Sequence, residues 1–256
     1  MSKRLIKQII YGSIFLGIIA GIFYGGFSFF SSATASCFDS KQNQNEDGVD
    51  CGGGCEPCAL KNIRPIAASV ELLKVNGAVT AIISLANPNI TFGADDFTYS
   101  LNIYGVDGTK LASISKNSFI YPAETNRIIV EPNIKLSTDL IRKPELVITN
   151  PNWIPADQFK RPVVQTRQVK AEVSNQQITV TGLVSNLESF GIPRSNVGAL
   201  AFRTMPDGSR QPIGASKTLL QDIRPFEERA FKIVFPVTEP ITSKDLSIDV
   251  VVDARR

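Results

Sequence analysis

Residues 71–85 read ELLKVNGAVTAIISL and contain two strand-like runs on either side of Asn76-Gly77. The runs, 71–75 and 78–85, are rich in apolar and β-branched residues. Asn-Gly favours a type I′ turn, because both central positions of that turn need a positive φ angle and its twist matches that of paired strands. The stretch therefore predicts a β-hairpin.

Alternation of apolar and polar residues extends this strand pattern along the chain. Successive side chains of a strand point to opposite faces, so strict alternation indicates a half-buried strand. The apolar members of the pattern are Phe97, Tyr99, Leu101 and Ile103, then Phe231, Ile233 and Phe235, then Leu246, Ile248, Val250 and Val252. We therefore predict an all-β fold of antiparallel strands.

Landmark residues recur about 100 positions apart, which indicates an internal duplication. The pairs are Asn76 and Asn175, Asn87 and Asn186, Asp107-Gly108 and Asp207-Gly208, Pro122 and Pro225, and Pro132 and Pro236. Short strands with turn residues at this spacing favour an antiparallel sandwich over a barrel. We therefore expect two tandem β-sandwiches.

The predicted sandwiches span residues 65–150 and 163–256, joined by a Pro-rich linker at 151–162. Three prolines should make this linker stiff and extended. Trp153 lies in it, and two roles are open for an aromatic residue there. It can anchor a binding partner, or it can pack at the junction of the domains, which is the role that we expect.

The second copy resembles the immunoglobulin-like sandwich of FxLYD-type domains. The resemblance rests on ITVTGLVSN at 178–186, on the turn Asp207-Gly208 and on IRPFEERAFKI at 223–233. The first copy matches through Leu101-Asn-Ile-Tyr104 and Asp107-Gly108. This resemblance implies an immunoglobulin-like fold and an extracytoplasmic binding or spacer module, and it carries no catalytic residues.

An apolar run before the sandwiches predicts a membrane helix at residues 9–30. The run reads IIYGSIFLGIIAGIFYGGFSFF, and no charged residue occurs between Lys7 and Asp39. Its length suits the ~20 residues that cross the hydrocarbon core as a helix. Lys3, Arg4 and Lys7 precede it, so residues 1–8 should form a cytoplasmic tail and the later domains should be extracytoplasmic. This predicts a single-pass protein of the cell membrane.

Two alternatives to an uncleaved anchor are open. Ala33-Thr34-Ala35 offers the A-x-A site of a cleaved signal peptide, although the apolar core is longer than is usual for one. Cys37 is also a candidate for lipid attachment, although the preceding residues lack the usual leucine. We expect the anchor.

Gly17, Gly21 and Gly25 recur every four residues and share one face of the predicted helix. This small-xxx-small pattern lets two membrane helices approach closely. A helix-helix partner or a homodimer is therefore one interpretation. The other is that glycine is simply frequent in membrane helices.

All four cysteines lie in the acidic segment at residues 37–58. They are Cys37, Cys51, Cys55 and Cys58, and the segment has five acidic residues against one lysine. An even number of cysteines outside the membrane favours two disulfides, for which three connectivities are open. Zinc is the alternative that a cytosolic location would favour. Because the segment has almost no apolar residues, its order should come from cross-links.

The acidic and amide residues of this segment also suggest calcium. Oxygen-bearing side chains followed by a glycine fit the first half of a calcium loop, but Gly54 stands where a bidentate glutamate is expected. The candidate ligands are Asp39, Asn43, Asn45, Asp47 and Asp50. The arrangement resembles the short calcium-binding repeats of thrombospondin type 3. The alternative is that these residues only form turns.

The segment as a whole resembles a cysteine-rich element of bacterial secreted and surface proteins. The shared form is C-x-D…N-x-x-E-x-G-V-D-C-G-G-x-C-x-x-C, which residues 37–58 match. The resemblance implies a place next to a membrane segment or between β-domains. It supplies no role for individual residues.

Composition argues against several functions. The chain has no histidine, which removes the commonest general base and metal ligand. Basic residues form no cluster of the kind that nucleic-acid binding needs. The acidic pairs Asp95-Asp96 and Glu227-Glu228 lie in predicted turns, where we expect them to be solvated.

We therefore expect a membrane-anchored, non-enzymatic interaction or structural protein that displays two sandwiches on a disulfide-tied stalk. Its expected partners are the lipid bilayer and an extracellular protein or polymer. The alternative is an accessory subunit of a membrane complex, held through the glycine face of the helix. A hydrolase of the cell envelope is a third and weaker hypothesis.

Overall fold

The computed structural model describes residues 3–30, 37–43, 45–75, 77–136, 140–174, 177–237, 241–242 and 244–256. These residues form two compact units, 1–63 and 64–256. The first unit contains the N-terminal helix and the cysteine-rich segment. The second contains all of the strands that the described residues form.

The N-terminal helix α1 runs from Lys3 to Phe30, and its stretch Ile6–Phe27 is long and apolar enough to cross a membrane. The apolar side chains along this stretch are exposed, as a lipid-facing helix requires. The helix begins before the predicted boundary. Residues 3–8 are therefore helical, and their predicted position in the cytoplasm stays a prediction.

The described residues of the second unit form twelve strands. They are β1 (Ala67–Val75), β2 (Ala78–Ala86), β3 (Phe92–Gly105), β4 (Lys110–Ile120), β5 (Arg127–Lys135), β6 (Ile141–Pro155), β7 (Val164–Ser174), β8 (Gln177–Asn186), β9 (Ile192–Thr204), β10 (Arg210–Ile223), β11 (Glu228–Pro236) and β12 (Leu246–Arg255). They form four three-stranded sheets with the orders β1-β2-β5, β4-β3-β6, β7-β8-β11 and β10-β9-β12. All of the pairings are antiparallel.

Two sheets face each other in each half of this unit. In the first half, Ile83 from β2 and Leu101 from β3 belong to one buried cluster. In the second half, Val180 from β8 and Val197 from β9 do the same. The two halves have the same strand order, strand for strand. The predictions of an all-β fold and of two sandwiches are therefore confirmed, and the matching strand orders agree with an internal duplication.

The hairpin predicted at residues 71–85 is present. Strands β1 and β2 pair from Ala67 with Ala86 to Val75 with Ala78, which leaves a two-residue turn. Gly77 has a φ angle of 74°, the positive value that this kind of turn needs. Asn76 and its counterpart Asn175 lie outside the described residues.

A buried asparagine braces the same corner of each sandwich. The Asn87 amide donates to the carbonyls of Phe92 and Tyr121 at 2.8 and 3.0 Å, and its oxygen accepts from the Asn89 backbone. Asn186 repeats this pattern with the carbonyls of Phe190 and Arg224 and with the Glu188 backbone. The pairing of the two asparagines in the sequence thus reflects one structural role.

The prolines Pro122 and Pro225 also occupy equivalent places. Each is the second residue of a turn in which the fourth residue, Glu124 or Glu227, donates its N–H to the carbonyl of the first. The same glutamate accepts the N–H of the first residue through its carboxylate. The third residues are Ala123 and Phe226, with φ angles of 53° and 57°.

The predicted linker is partly wrong. Strand β6 continues through Pro155, and its last residues pair with β3 as far as Phe92. Residues 151–155 therefore belong to the first sandwich, and Trp153 packs against the first core rather than in a free linker. The connection between the sandwiches is 156–163. Pro151 and Pro155 favoured a linker in the prediction, but both lie in β6, an edge strand in which a missing N–H is tolerated.

Replacement of Asn87 by alanine should destabilise the protein by about 3 kcal/mol, because it removes the four hydrogen bonds of the Asn87 amide and leaves the buried Asn89 N–H without its acceptor. Urea unfolding of the full chain in micelles, followed by the fluorescence of Trp153, measures this change. Asn126→Ala, at an exposed position, is the control and should stay within about 0.5 kcal/mol of the parent. Equal effects of the two substitutions would contradict the bracing role of Asn87.

Candidate functional site

The four cysteines form two disulfides, Cys37–Cys55 and Cys51–Cys58, with Cα–Cα distances of 5.6 and 4.7 Å. The structure thus selects one of the three connectivities that the spacing left open. Because Cys37 is bonded to Cys55, its sulfur is not free for lipid attachment, and no thiol of the set is left to bind zinc. The cleavage site at 33–35 lies outside the described residues.

Carboxylates of the cysteine-rich segment hold its turns together. Asp50 accepts the backbone N–H groups of Asp39 and Ser40, both at 2.9 Å. Glu46 is buried and accepts the N–H groups of Asn43 and Asp50. These bonds replace the apolar core that the segment lacks, since each one satisfies a backbone donor that has no partner in a regular strand or helix.

Two glycines are required by the close approach of backbone in this segment. A Cβ atom on Gly53 would lie 2.3 Å from the carbonyl oxygen of Asn45, and one on Gly52 would lie 2.4 Å from an Asp47 carboxylate oxygen. Both glycines also have positive φ angles, 59° and 80°. The Gly-Gly pair of the cysteine-rich pattern is therefore explained by local packing.

The candidate calcium ligands do not converge in the described part of the segment. Asp39 accepts a hydrogen bond from the Asn43 amide at 2.8 Å, and Asn45 and Asp47 are exposed. No group of three or more acidic, cysteine or histidine residues is placed to hold a metal among the residues that the structure describes. Calcium binding stays a prediction, and hydrogen bonding within the turns already accounts for Asp39 and Asp50.

The glycine face of α1 is open. A Cβ atom on Gly17, Gly21 or Gly25 would meet no atom within 4 Å in the described chain. The face is thus available to a second helix, and the predicted helix-helix contact stays a prediction.

The two sandwiches share a third apolar cluster. Leu73, Val75 and Val130 of the first sandwich pack with Leu200 and Ala215 of the second. All five side chains are buried. The sandwiches therefore form one body with a continuous apolar interior rather than two independent domains joined by a flexible linker.

Glu131 connects the sandwiches electrostatically. Its buried carboxylate accepts hydrogen bonds from the Tyr99 hydroxyl at 2.7 Å, from Lys116 at 2.5 Å and from Lys217 of the second sandwich at 2.8 Å. Burial alone would raise the pKa of Glu131, but the hydrogen bonds from Lys116, Lys217 and Tyr99 outweigh it and lower that pKa. Burial and the bond to Glu131 raise the pKa of the Tyr99 hydroxyl, which stays a donor.

A second ion pair crosses the same junction. The buried guanidinium of Arg127 donates to Asp253 of β12 at 2.6 Å and stacks 3.8 Å from the Phe119 ring centre. Next to it, the Tyr121 hydroxyl donates to the Ala254 carbonyl at 2.8 Å. The C-terminal part of β12 is thereby fixed against the first sandwich.

A cleft of about 870 Å³ lies between the sandwiches. Strands β4 and β5 contribute to one wall, and β9, β10 and β12 contribute to the other. Five cationic side chains line it, against three carboxylates. The cationic residues are Lys116, Arg194, Lys217, Arg255 and Arg256, and the acidic residues are Asp96, Glu131 and Asp253. This cleft is the candidate functional site.

The acidic pairs singled out in the sequence do not converge on a common point. In the first pair, Asp95 accepts from Asn152 and Asp96 accepts from Asn117. In the second pair, Glu227 bonds Arg229 while Glu228 bonds Ser185. Each carboxylate has its own neighbours, so the pairs do not form the facing arrangement that glycoside hydrolysis uses.

Sequence reasoning missed the cleft. The one available signal was Glu131, a charged residue in the apolar strand RIIVEPNIK at 127–135. A glutamate in such a strand needs partners when it is buried. Its partners come from β3, β4 and β10, so only the folded chain identifies them.

Comparison with known proteins gives no family. No protein-family model matches the chain, and no curated protein does. Similar solved structures include red sea bream transglutaminase, with 14% identity over 75% of this chain and 29% of that chain and a TM-score of 0.23. A proposed beta-galactosidase from Bacteroides fragilis has 12% identity over 73% and 32% of the two chains and a TM-score of 0.26. This chain spans a third or less of either structure, and such TM-scores support no argument about function.

Replacement of Glu131 by glutamine should cost about 3 kcal/mol of stability at pH 7, because two lysines lose their carboxylate. The pKa of Glu131 is lowered in the folded state, so its contribution is present above its ordinary value of 4.5 and is lost as the pH falls below that value. The difference between parent and variant should therefore shrink in acid. Urea unfolding between pH 3 and pH 7, against the exposed control Glu172→Gln, measures it. A difference that does not change with pH would contradict this account.

Proposed function

We propose that this protein is a membrane-anchored, extracytoplasmic binding protein whose two sandwiches act as one rigid body. Helix α1 is the anchor, and the disulfide-tied segment at residues 37–58 is the stalk. One observation supports the binding role above the others. The sandwiches are joined by a shared apolar cluster and by the bridge from Lys217 to Glu131, so the walls of the cleft are held in place before any ligand arrives.

The direction of insertion follows from charge and from disulfide chemistry. Lys3, Arg4 and Lys7 lie at the N-terminal end of α1, and such residues favour the cytoplasmic side. Disulfides persist in oxidising compartments, which is consistent with an extracytoplasmic position of residues 37–58. We assign the protein to the cell envelope, with the sandwiches outside the cytoplasmic membrane.

We also propose that the sandwiches are immunoglobulin-like modules of the FxLYD type. The support is the sequence pattern of the second sandwich at residues 178–186 and 223–233. Asn186 and the turn at Pro225, which belong to this pattern, stabilise one corner of that sandwich. The partner class that this implies is an extracellular protein or polymer.

Protease accessibility tests the anchor and its direction. In cells with a permeabilised outer layer but an intact cytoplasmic membrane, protease should remove a C-terminal epitope tag, and carbonate at high pH should leave the full chain in the membrane fraction. The control is a cytoplasmic protein that stays intact in the same cells. A tag that is cut only after the cytoplasmic membrane is lysed would contradict the proposed direction.

A second candidate function is that of a subunit in a membrane complex or homodimer. The open face of Gly17, Gly21 and Gly25 supports it, because glycine lets two helix backbones approach closely. We expect the double substitution Gly17→Ile, Gly21→Ile to reduce crosslinked oligomers in membranes about tenfold, because the added side chains keep the two helix backbones apart.

Gly12→Ile is the matched control for this substitution. Gly12 is also open to the surroundings but lies off the face shared by the other three glycines. The proposal predicts that Gly12→Ile leaves crosslinking unchanged. Unchanged crosslinking in both variants would count against a subunit role for this face.

A further inference from the structure

The cationic side chains of the cleft outnumber the carboxylates that can neutralise them. Lys116 and Lys217 both form ion pairs with Glu131, and Asp253 forms an ion pair with Arg127. The Arg194 side chain is exposed and makes no hydrogen bond or ion pair with any residue that the structure describes. Arg256 is also exposed, and its guanidinium lies 4.7 Å from the centre of the Phe190 ring without an ion pair to any described residue. Two guanidinium groups of the cleft therefore have no ion pair among the described residues, against one carboxylate, Asp96, which accepts only from the neutral Asn117 amide.

The register of β9 and β12 concentrates this charge. Arg194 lies directly opposite Arg255 across the two strands, and Arg256 follows immediately. Like charges at directly opposed positions destabilise a sheet. Arg255 bonds the backbone carbonyl of Asp95 and approaches its carboxylate at 3.5 Å, whereas Arg194 has no such compensation. An anion bound beside Arg194 in the cleft would reduce this repulsion.

The walls of the cleft suit an extended peptide. Strands β4, β5 and β10 are edge strands of their sheets, so each has backbone N–H and C=O groups that no neighbouring strand in its sheet pairs. An extended segment can pair with such an edge and add a strand. Apolar side chains also line the cleft, among them Ile129, Pro132 and Leu219. A free phosphate or a simple sugar polymer would leave the apolar wall and the backbone edges unused.

We propose that the cleft binds an extended acidic peptide segment of a partner protein, with carboxylates held by Arg194 and Arg256. Alternate side chains of the segment face opposite ways, so acidic residues at every second position meet the arginines while the apolar residues between them meet Ile129 and Pro132 on the other wall. Arginine suits this role because its planar guanidinium binds a carboxylate through two hydrogen bonds. This inference rests on the proposed binding function and names its ligand class.

A labelled synthetic peptide tests the proposal on the full chain in micelles. The probe is Gly-Glu-Val-Glu-Val-Glu-Gly, and fluorescence anisotropy measures its dissociation constant. We expect saturable binding that weakens as salt rises, because the attraction is between exposed charges. Replacing the glutamates of the probe by glutamine, or N-methylating its valines, should weaken binding about tenfold, through lost ion pairs or lost strand pairing.

Matched variants of the protein locate the site. The double variant Arg194→Gln, Arg256→Gln should weaken binding of the probe about tenfold or more. The double variant Arg142→Gln, Lys232→Gln removes the same charge at exposed positions outside the cleft and should bind like the parent. Unchanged urea midpoints in both variants show that folding is not the cause of any difference.

Several results would overturn the inference. They are equal loss in the two double variants, absence of probe binding, and binding of a sulfated polysaccharide or of inorganic phosphate in place of the peptide. The last of these would assign the arginines to another class of ligand. Each outcome is separable from failure of the proposed function, because the protease assay reports the membrane anchor and its direction without any ligand.

Discussion

The buried carboxylate of Glu131 is the constraint on which the arrangement of the two sandwiches depends. A buried charge is costly unless donors surround it. Two of its donors, Tyr99 and Lys116, come from the first sandwich, and the third, Lys217, comes from the second. If the sandwiches separated, Glu131 would lose a cation while remaining partly buried. Apolar packing is not directional, whereas this bridge and the ion pair from Arg127 to Asp253 fix the angle between the sandwiches.

The duplicated halves keep the same framework but have diverged at the surface. Asn87 and Asn186 make the same corner contacts, yet the adjoining turns differ. In the first sandwich, Tyr121 stacks on Phe159 at 4.5 Å and bonds the end of β12, so this corner is an internal joint. In the second, Phe226 occupies a strained left-handed position and is 70% exposed. The corner of the first sandwich thus joins the two sandwiches, whereas the equivalent corner of the second faces outward.

Local sequence patterns were sufficient to predict the strands and turns. Contacts between residues that are distant in the sequence determine the disulfide connectivity and the cleft. The hairpin, the strands and the duplication follow from turn chemistry and alternation within short windows, so the sequence was sufficient for them. The disulfide connectivity was not readable, because spacing leaves three solutions. The linker was misplaced because prolines are also tolerated in an edge strand such as β6. The cleft could not be predicted from the sequence, because Glu131 and Lys217 lie 86 positions apart and come into contact only after both sandwiches fold.

Rigidity and charge act together in the cleft. A flexible pair of domains would lose entropy whenever a ligand fixed their angle, and that loss would be subtracted from the affinity. Here the bridge from Lys217 to Glu131 fixes the angle during folding, before binding. The same fixation holds Arg194 opposite Arg255, although like charges in that register oppose folding. The favourable interactions of Glu131 therefore offset the repulsion between Arg194 and Arg255, which line the same cleft. An anionic ligand bound there would replace this repulsion by attraction.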